Sequence, residues 1–292
     1  MMSDTELLPP EVLEELAATI RRDHGRKAPS ASDDVVRLAK KLGAAAAAYD
    51  KDRYLDASRL ARSVLAEAPE SVAARELCGL SAYRLGRFAE ALRYLMPLWV
   101  ERGDPAQLPV MMDCERALGH YERVEALFSD LRRSSPPAEL LVEGRLVYAG
   151  SLAERGMARE ALKLLLDAGA GRRLRHPAER HVRQWYVLAD LYDRLGEPTR
   201  AREVFGWVAA VDSEMADVVE RLAELGRRAG RRGGRRAASR GGGPRHALFG
   251  PSPGRTGGRR AASRTESTGA QREDHHRKTQ RGSQGGRAGS ED

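Results

Sequence analysis

Residues able to do chemistry are few and scattered in this 292-residue chain. Cys78 and Cys114 are the only cysteines. Two cannot build a disulfide framework or a four-thiolate zinc site. Each falls on the apolar stripe of a helical segment, with no accompanying His or Asn pattern, so both are expected to be buried, inert thiols. The seven histidines are dispersed, and the adjacent His275 and His276 have no further ligands around them. H-E-x-x-H, G-x-S-x-G and G-x-x-x-x-G-K-[ST] are all missing. Acidic pairs such as Glu14–Glu15 and Asp33–Asp34 read as solvated helix charges. The expectation is a non-enzymatic chain with no cofactor and no metal.

What the side chains can do is make contacts, and charge shows where. Residues 227–292 hold 17 Lys+Arg against 5 Asp+Glu, whereas 1–226 hold 33 against 37. A mildly acidic, Ala/Leu-rich body therefore carries a strongly basic tail. The longest apolar run, Leu42 to Tyr49, is far shorter than the roughly 20 residues that span a bilayer. The N-terminus is acidic and lacks the apolar core of a secretory signal. A soluble, cytoplasmic protein with no membrane contact is expected.

The elements that position these contacts recur down the body. Residues 49–61, 83–95, 116–128, 153–165 and 192–205 share one pattern: a helix end, a turn at Asp or Gly, then a second helix. The turn residues are Asp52, Gly86, Gly119, Gly156 and Gly196, spaced 34, 33, 37 and 40. Each is followed by a small or β-branched residue: Ala57, Ala91, Val124, Ala161 or Ala201. Four residues later come Ala61, Leu95, Phe128, Leu165 and Phe205, and three further on Val64, Leu98, Leu131, Ala168 and Val208. That i, i+4, i+7 spacing puts the three on one helical face. Glycine at the turn tolerates positive φ and lets the chain reverse. A single helix pair is too small to bury its own apolar face, so pairs must stack. Pro105, Pro136 and Pro177 are expected at helix starts, and Ser32 as the cap of a helix entering at Val35. Met215 to Leu225 should form a capping helix, and Pro10 to Arg22 an additional N-terminal one.

This pattern resembles the tetratricopeptide repeat family, whose unit reads W-x2-L-G-x2-Y, then A-x3-F, then P. The fifth unit carries Trp185, Leu188, Ala189 in place of Gly, Tyr192, Ala201 and Phe205. In the second, Gly79 and Tyr83 fall near their places, and Pro69 closes the first. Asp52 stands where Gly is usual, and Ala158 where an aromatic is common. The resemblance implies an all-α right-handed superhelix, an α-solenoid of about five helix–turn–helix units. The organisation is then 1–31 as an N-terminal segment with a short helix, 32–226 as the repeat domain with its cap, and 227–292 as a disordered Arg/Gly-rich tail.

In that family the first helix of each pair lines a concave groove. The resemblance places Leu42, Ala46, Tyr49, Glu76, Leu80, Tyr83, Asp113, Arg116, Glu143, Leu146, Tyr186, Asp190 and Asp193 there. Leu42 and Ala46 stand where the chaperone-binding branch has the Lys and Asn that grip a C-terminal carboxylate, which disfavours that specificity. An acid-edged groove with apolar and tyrosine contacts suits a peptide or helix with apolar anchors and some Arg or Lys. Tyr49, Tyr83 and Tyr186 serve equally as packing residues, since their rings are amphipathic. Trp99, Trp185 and Trp207 read as inter-helix packing.

In the tail, GGRRAASR occurs at 233–240 and again at 257–264. Arg231, Arg232, Arg235, Arg236, Arg259 and Arg260 could bind a polyanion such as RNA or DNA non-specifically, by releasing its counterions. A merely solvated tail is the first reading, and docking on the acidic body or another subunit is a third. The leading expectation is a scaffold for a protein or peptide partner. A nucleic-acid-associated adaptor is the alternative, and self-association through the stack is a third possibility.

Overall fold

A computed structural model describes residues 31–231 together with Glu14. Among the described residues there are eleven helices and no strand. They run α1 (Ala31–Asp50), α2 (Tyr54–Leu65), α3 (Val72–Arg84), α4 (Phe88–Arg102), α5 (Leu108–Ala117), α6 (Tyr121–Arg133), α7 (Ala138–Glu154), α8 (Ala158–Asp167), α9 (Glu179–Arg194), α10 (Pro198–Ala209) and α11 (Val218–Arg231). A 3₁₀ turn, Pro105–Gln107, precedes α5. The expected helix over 10–22 lies outside the described residues apart from Glu14, which is helical. Residues 232–292, and with them most of the expected tail, lie outside the described residues as well.

Five helix pairs follow one another, each closed by the turn residue its spacing predicts. Gly86, Gly119, Gly156 and Gly196 have φ of 72°, 77°, 81° and 76°, and Asp52 adopts 57°. Asp52 manages this without glycine because its carboxylate accepts a hydrogen bond from Tyr54, and Asp is among the residues that tolerate the left-handed region. After each turn the chain locks by a backbone bond to the residue five positions back, as in Arg87 N–H to Ala82 O at 2.9 Å and Glu197 N–H to Tyr192 O at 2.9 Å.

Packing follows the residue columns. Ala57, Ala61 and Val64 of α2, Ala91, Leu95 and Leu98 of α4, Val124, Phe128 and Leu131 of α6, and Ala201, Phe205 and Val208 of α10 are all buried. Burying each large member contributes about 1.5–3 kcal/mol. Small residues admit close approach: a Cβ on Gly79 would stand 2.6 Å from Leu95 Cγ. Every helix packs on the next in sequence, and the first helices α1, α3, α5, α7 and α9 also touch in that order. The result is a serial stack of pairs.

Four expectations change. Ala168 is exposed and Ala170 buried, because α8 ends at Asp167 and the chain reverses through Gly169 at φ 83°. Helix α1 starts at Ala31, so Ser32 lies within it rather than capping it. The helices after Pro136 and Pro177 begin two residues beyond each, with Pro137 and Ala178 at the capping positions. The last helix runs Val218–Arg231 instead of Met215–Leu225. Asp104 does cap as its type suggests, accepting from Ala106 N–H at 2.9 Å beside Pro105.

Candidate partner-binding face

The first helices of successive pairs pack against one another in order, and they carry polar residues at buried positions. Helix α5 shows this. Every residue from Leu108 to Arg116 is buried, including Asp113, Glu115 and Arg116. Helix α9 is buried from Gln184 to Tyr192. Charges on all sides of a buried helix must be paired; Glu115 meets His120 and Arg123 of its own pair, and other partners come from the neighbouring unit.

At the junction of the second and third pairs, the Tyr83 hydroxyl donates to Asp113 Oδ2 at 2.7 Å across 30 residues of sequence. Asp113 Oδ1 also accepts from Arg116 Nε at 2.9 Å and Nη2 at 2.7 Å, and Arg116 donates onward to Glu154 in the next unit. Burial works against the Arg116 charge, but Asp113 and Glu154 outweigh it and hold the guanidinium above its ordinary pKa. Burial, then the negative Asp113, pushes the Tyr83 phenol well up, so it stays a donor.

The last junction repeats the device. Tyr186 donates to Asp217, and Arg221 of α11 reaches Asp190 at 2.8 Å and Asp193 at 3.1 Å while lying over the Phe205 ring at 5.2 Å. Arg194 shares Asp190 at 2.5 Å and Arg228 shares Asp193 at 3.0 Å. At the first of these junctions Gln107 also donates to Glu76 at 2.5 Å, and between the two junctions Arg183 pairs with Glu143 at 2.9 Å. Burial raises the Glu143 pKa and Arg183 only partly restores it.

The residues expected to line a groove therefore divide. Leu42, Leu80 and Leu146 are buried in the apolar cores, as are the rings of Tyr186 and its neighbour Phe205. Asp113, Arg116 and Asp190 are buried in the ladder just described, which occupies their hydrogen-bonding capacity. Ala46, Tyr49, Glu76, Tyr83, Glu143 and Asp193 are half-buried. The ladder members Glu154, Gln107, Arg183, Asp217 and Arg221 were not among the expected residues. Their signal was available: a Tyr and an Asp recur one unit apart at both junctions.

The remaining expectations are placed as follows. Cys78 and Cys114 are buried free thiols, and burial pushes the Cys78 thiol up to about 12. Trp185 packs edge-on against Trp207, with ring centroids 5.7 Å apart, and Trp99 packs against the core of the second and third pairs. Arg231 ends α11, while Arg232, Arg235, Arg236, Arg259 and Arg260 lie outside the described residues. Among the described residues, no helix is long and apolar enough to cross a membrane.

No family model and no curated protein matches the sequence. Two solved structures are similar in fold. One is a thermophilic tetratricopeptide repeat protein of Thermus thermophilus, with a TM-score of 0.52 at 20% identity, covering 64% of this chain and 98% of that one. The other is a tetratricopeptide repeat protein of Parabacteroides merdae, with a TM-score of 0.51 at 17% identity, covering 75% of this chain and 86% of that one. The fold is a tetratricopeptide-type α-solenoid.

Proposed function

We propose that this chain is a non-enzymatic cytoplasmic scaffold that takes a partner peptide or helix along the inner face of α1, α3, α5, α7 and α9. The observation behind this reading is the inter-unit polar ladder. Tyr83–Asp113–Arg116–Glu154 ties α3 to α5 and α5 to α7, and Tyr186–Asp217 with Asp190–Arg221 ties α9 to α11 and the residue before it. A face held in register this way loses little freedom on binding, which is what preorganisation contributes to affinity. Half-buried Tyr49, together with the half-buried ladder members Tyr83, Glu76, Glu143 and Asp193, lies on those helices. Amphipathic rings and carboxylates suit a partner with apolar anchors and Arg or Lys.

A photo-reactive residue placed at Glu76 or Ala46, compared with one at Leu55 or Val100 on the second helices, tests the face. Adducts from the first two positions and not the others are expected. Adducts only from Leu55 and Val100 would move the docking surface to the outside of the stack.

The second reading rests on the repeated basic octamer and the 17 Lys+Arg of 227–292. Such a segment would anchor the scaffold to RNA or DNA without reading sequence. Replacing Arg235, Arg236, Arg259 and Arg260 with Ala in the full chain should weaken low-salt retardation of nucleic acid. Unchanged retardation counts against it.

A further inference from the structure

The link from α8 to α9, residues 168–178, is the longest between the described helices and the most basic. It carries Arg172, Arg173, Arg175 and His176 and no acid. All four are exposed, and none has an ion pair among the described residues. Just beyond, Arg180 and Arg183 are taken up by Glu139 and Glu143 of α7 at 2.7 and 2.9 Å. The link is nonetheless fixed in place. It turns at Gly169 with φ 83°, buries Ala170 in the core that also holds Val142 and Leu146, and is held by Trp185 Nε1, which donates to the Arg172 carbonyl at 3.3 Å.

More cations without partners lie beside it. Helix α7 turns Gly144 and Tyr148 to α6: a Cβ on Gly144 would collide with Leu131, and Tyr148 stacks on Phe128. It turns Val142, Leu146 and Ala149 to the core of the fourth and fifth pairs. At about 100° per residue Arg145 falls between these two faces, on the side of the second helices α6 and α8. Arg145 is half-buried, and Arg132, at the end of α6, is exposed. Burial, then the positive Arg132, pulls the Arg145 pKa below its ordinary value. Neither guanidinium has an ion pair among the described residues. Asp130 and Asp167, the acids in the last turns of α6 and α8, pair with Arg133 and Lys163. Helix α8 returns along α7 after the turn at Gly156, which brings its end and the basic link back to the level of the first half of α7, where Arg180 meets Glu139.

We propose that Arg132, Arg145 and the link arginines Arg172, Arg173 and Arg175 form a contact for the phosphate backbone of a nucleic acid on the folded body of this chain. This deepens the second reading above, and gives it a site that does not depend on the tail. Guanidinium forks fit phosphate oxygens. Cations spread over the third and fourth pairs suit a run of phosphates better than a single anion. A tethered link also loses less freedom on binding than a free segment would. The following link, 210–217, carries exposed Asp212 and Glu214, so the contact ends there.

Photo-reactive residues at Leu174 in the basic link and at Val211 in the acidic one, both exposed, test the site in the full chain, with a labelled single-stranded oligonucleotide as the probe. Adducts from Leu174 and none from Val211 are expected. Retardation of the oligonucleotide without an adduct at Leu174 would overturn the contact and leave the tail reading standing. No retardation at all would overturn both. Adducts from Leu174 to polyglutamate that the oligonucleotide does not compete would assign the patch to an acidic protein surface, and also overturn it. Independently, Arg145→Gln, Arg173→Gln and Arg175→Gln together should leave the helical content unchanged and weaken low-salt binding about tenfold. They should also flatten the plot of log affinity against log salt by about two units, at roughly 0.7 per phosphate. An unchanged slope rules the contact out.

Discussion

Tyr83 and Asp113 are 30 residues apart and belong to different helix pairs, yet the phenol donates to the carboxylate at 2.7 Å in the interior of the stack. The bond joins α3 to α5, so the second and third pairs are aligned by a polar contact as well as by their apolar layer.

Asp113 carries that junction. Removing its carboxylate by Asp113→Ala leaves Arg116 buried with one partner fewer, and breaking such a pair costs about 3–5 kcal/mol. Tyr83→Phe removes a single hydrogen bond and should cost about 1 kcal/mol. In the double variant the two effects should fall short of additive, because both act on one carboxylate. Urea denaturation of the four proteins checks this. Strict additivity would mean the bond contributes nothing.

Arg221 does the equivalent work at the far end. It stands between Asp190 and Asp193 and over Phe205, so Arg221→Ala should free α11 from α9. Limited proteolysis should then cut between Ala209 and Val218 while α1–α8 stay protected.

Gly79 is set by packing and not by its dihedral angles. Its absent Cβ would lie 2.6 Å from Leu95 Cγ, and Leu95 is fully buried and cannot swing away. Gly79→Ala should therefore destabilise by about 1–3 kcal/mol despite the better helix propensity of Ala. A neutral or stabilising outcome in thermal unfolding would show that α3 and α4 have slack.

Acid should weaken the contact between Glu67 and the first helix. Hydrogen bonds from Arg37 and Lys41 draw the Glu67 pKa from 4.5 down to about 2. A folded-state pKa below the unfolded one means stabilisation that is complete above about pH 4.5 and is lost as pH falls towards 2. The pair is largely exposed, so the effect is small and salt-sensitive. Glu67→Gln should flatten that part of the stability–pH curve at low ionic strength.

The thiols give a reading of global opening. Burial holds the Cys78 pKa near 12 and raises Cys114 likewise, so at neutral pH the folded chain should resist thiol reagents. Both should label on unfolding, at a rate that tracks opening of the stack. Because the folded pKa lies above the ordinary 9, the contribution of Cys78 to stability is present below pH 9 and declines as pH rises towards 12.

The sequence by itself determined the turns and the packing columns, although not every helix end. Turn positions at Asp52, Gly86, Gly119, Gly156 and Gly196, and the buried columns from Ala57 to Val208, follow from φ restrictions and from 3.6-residue periodicity. Both act within one helix pair. Even there, the end of α8 shifted burial from Ala168 to Ala170. Only the tertiary structure decided which polar residues face a partner and which hold the stack together. Asp113, Arg116 and Asp190 read as groove residues because a charge shows no sign of its burial until the helices of the neighbouring unit are brought alongside. Stacking supplies those helices, and it turns much of the expected groove into the joints between units.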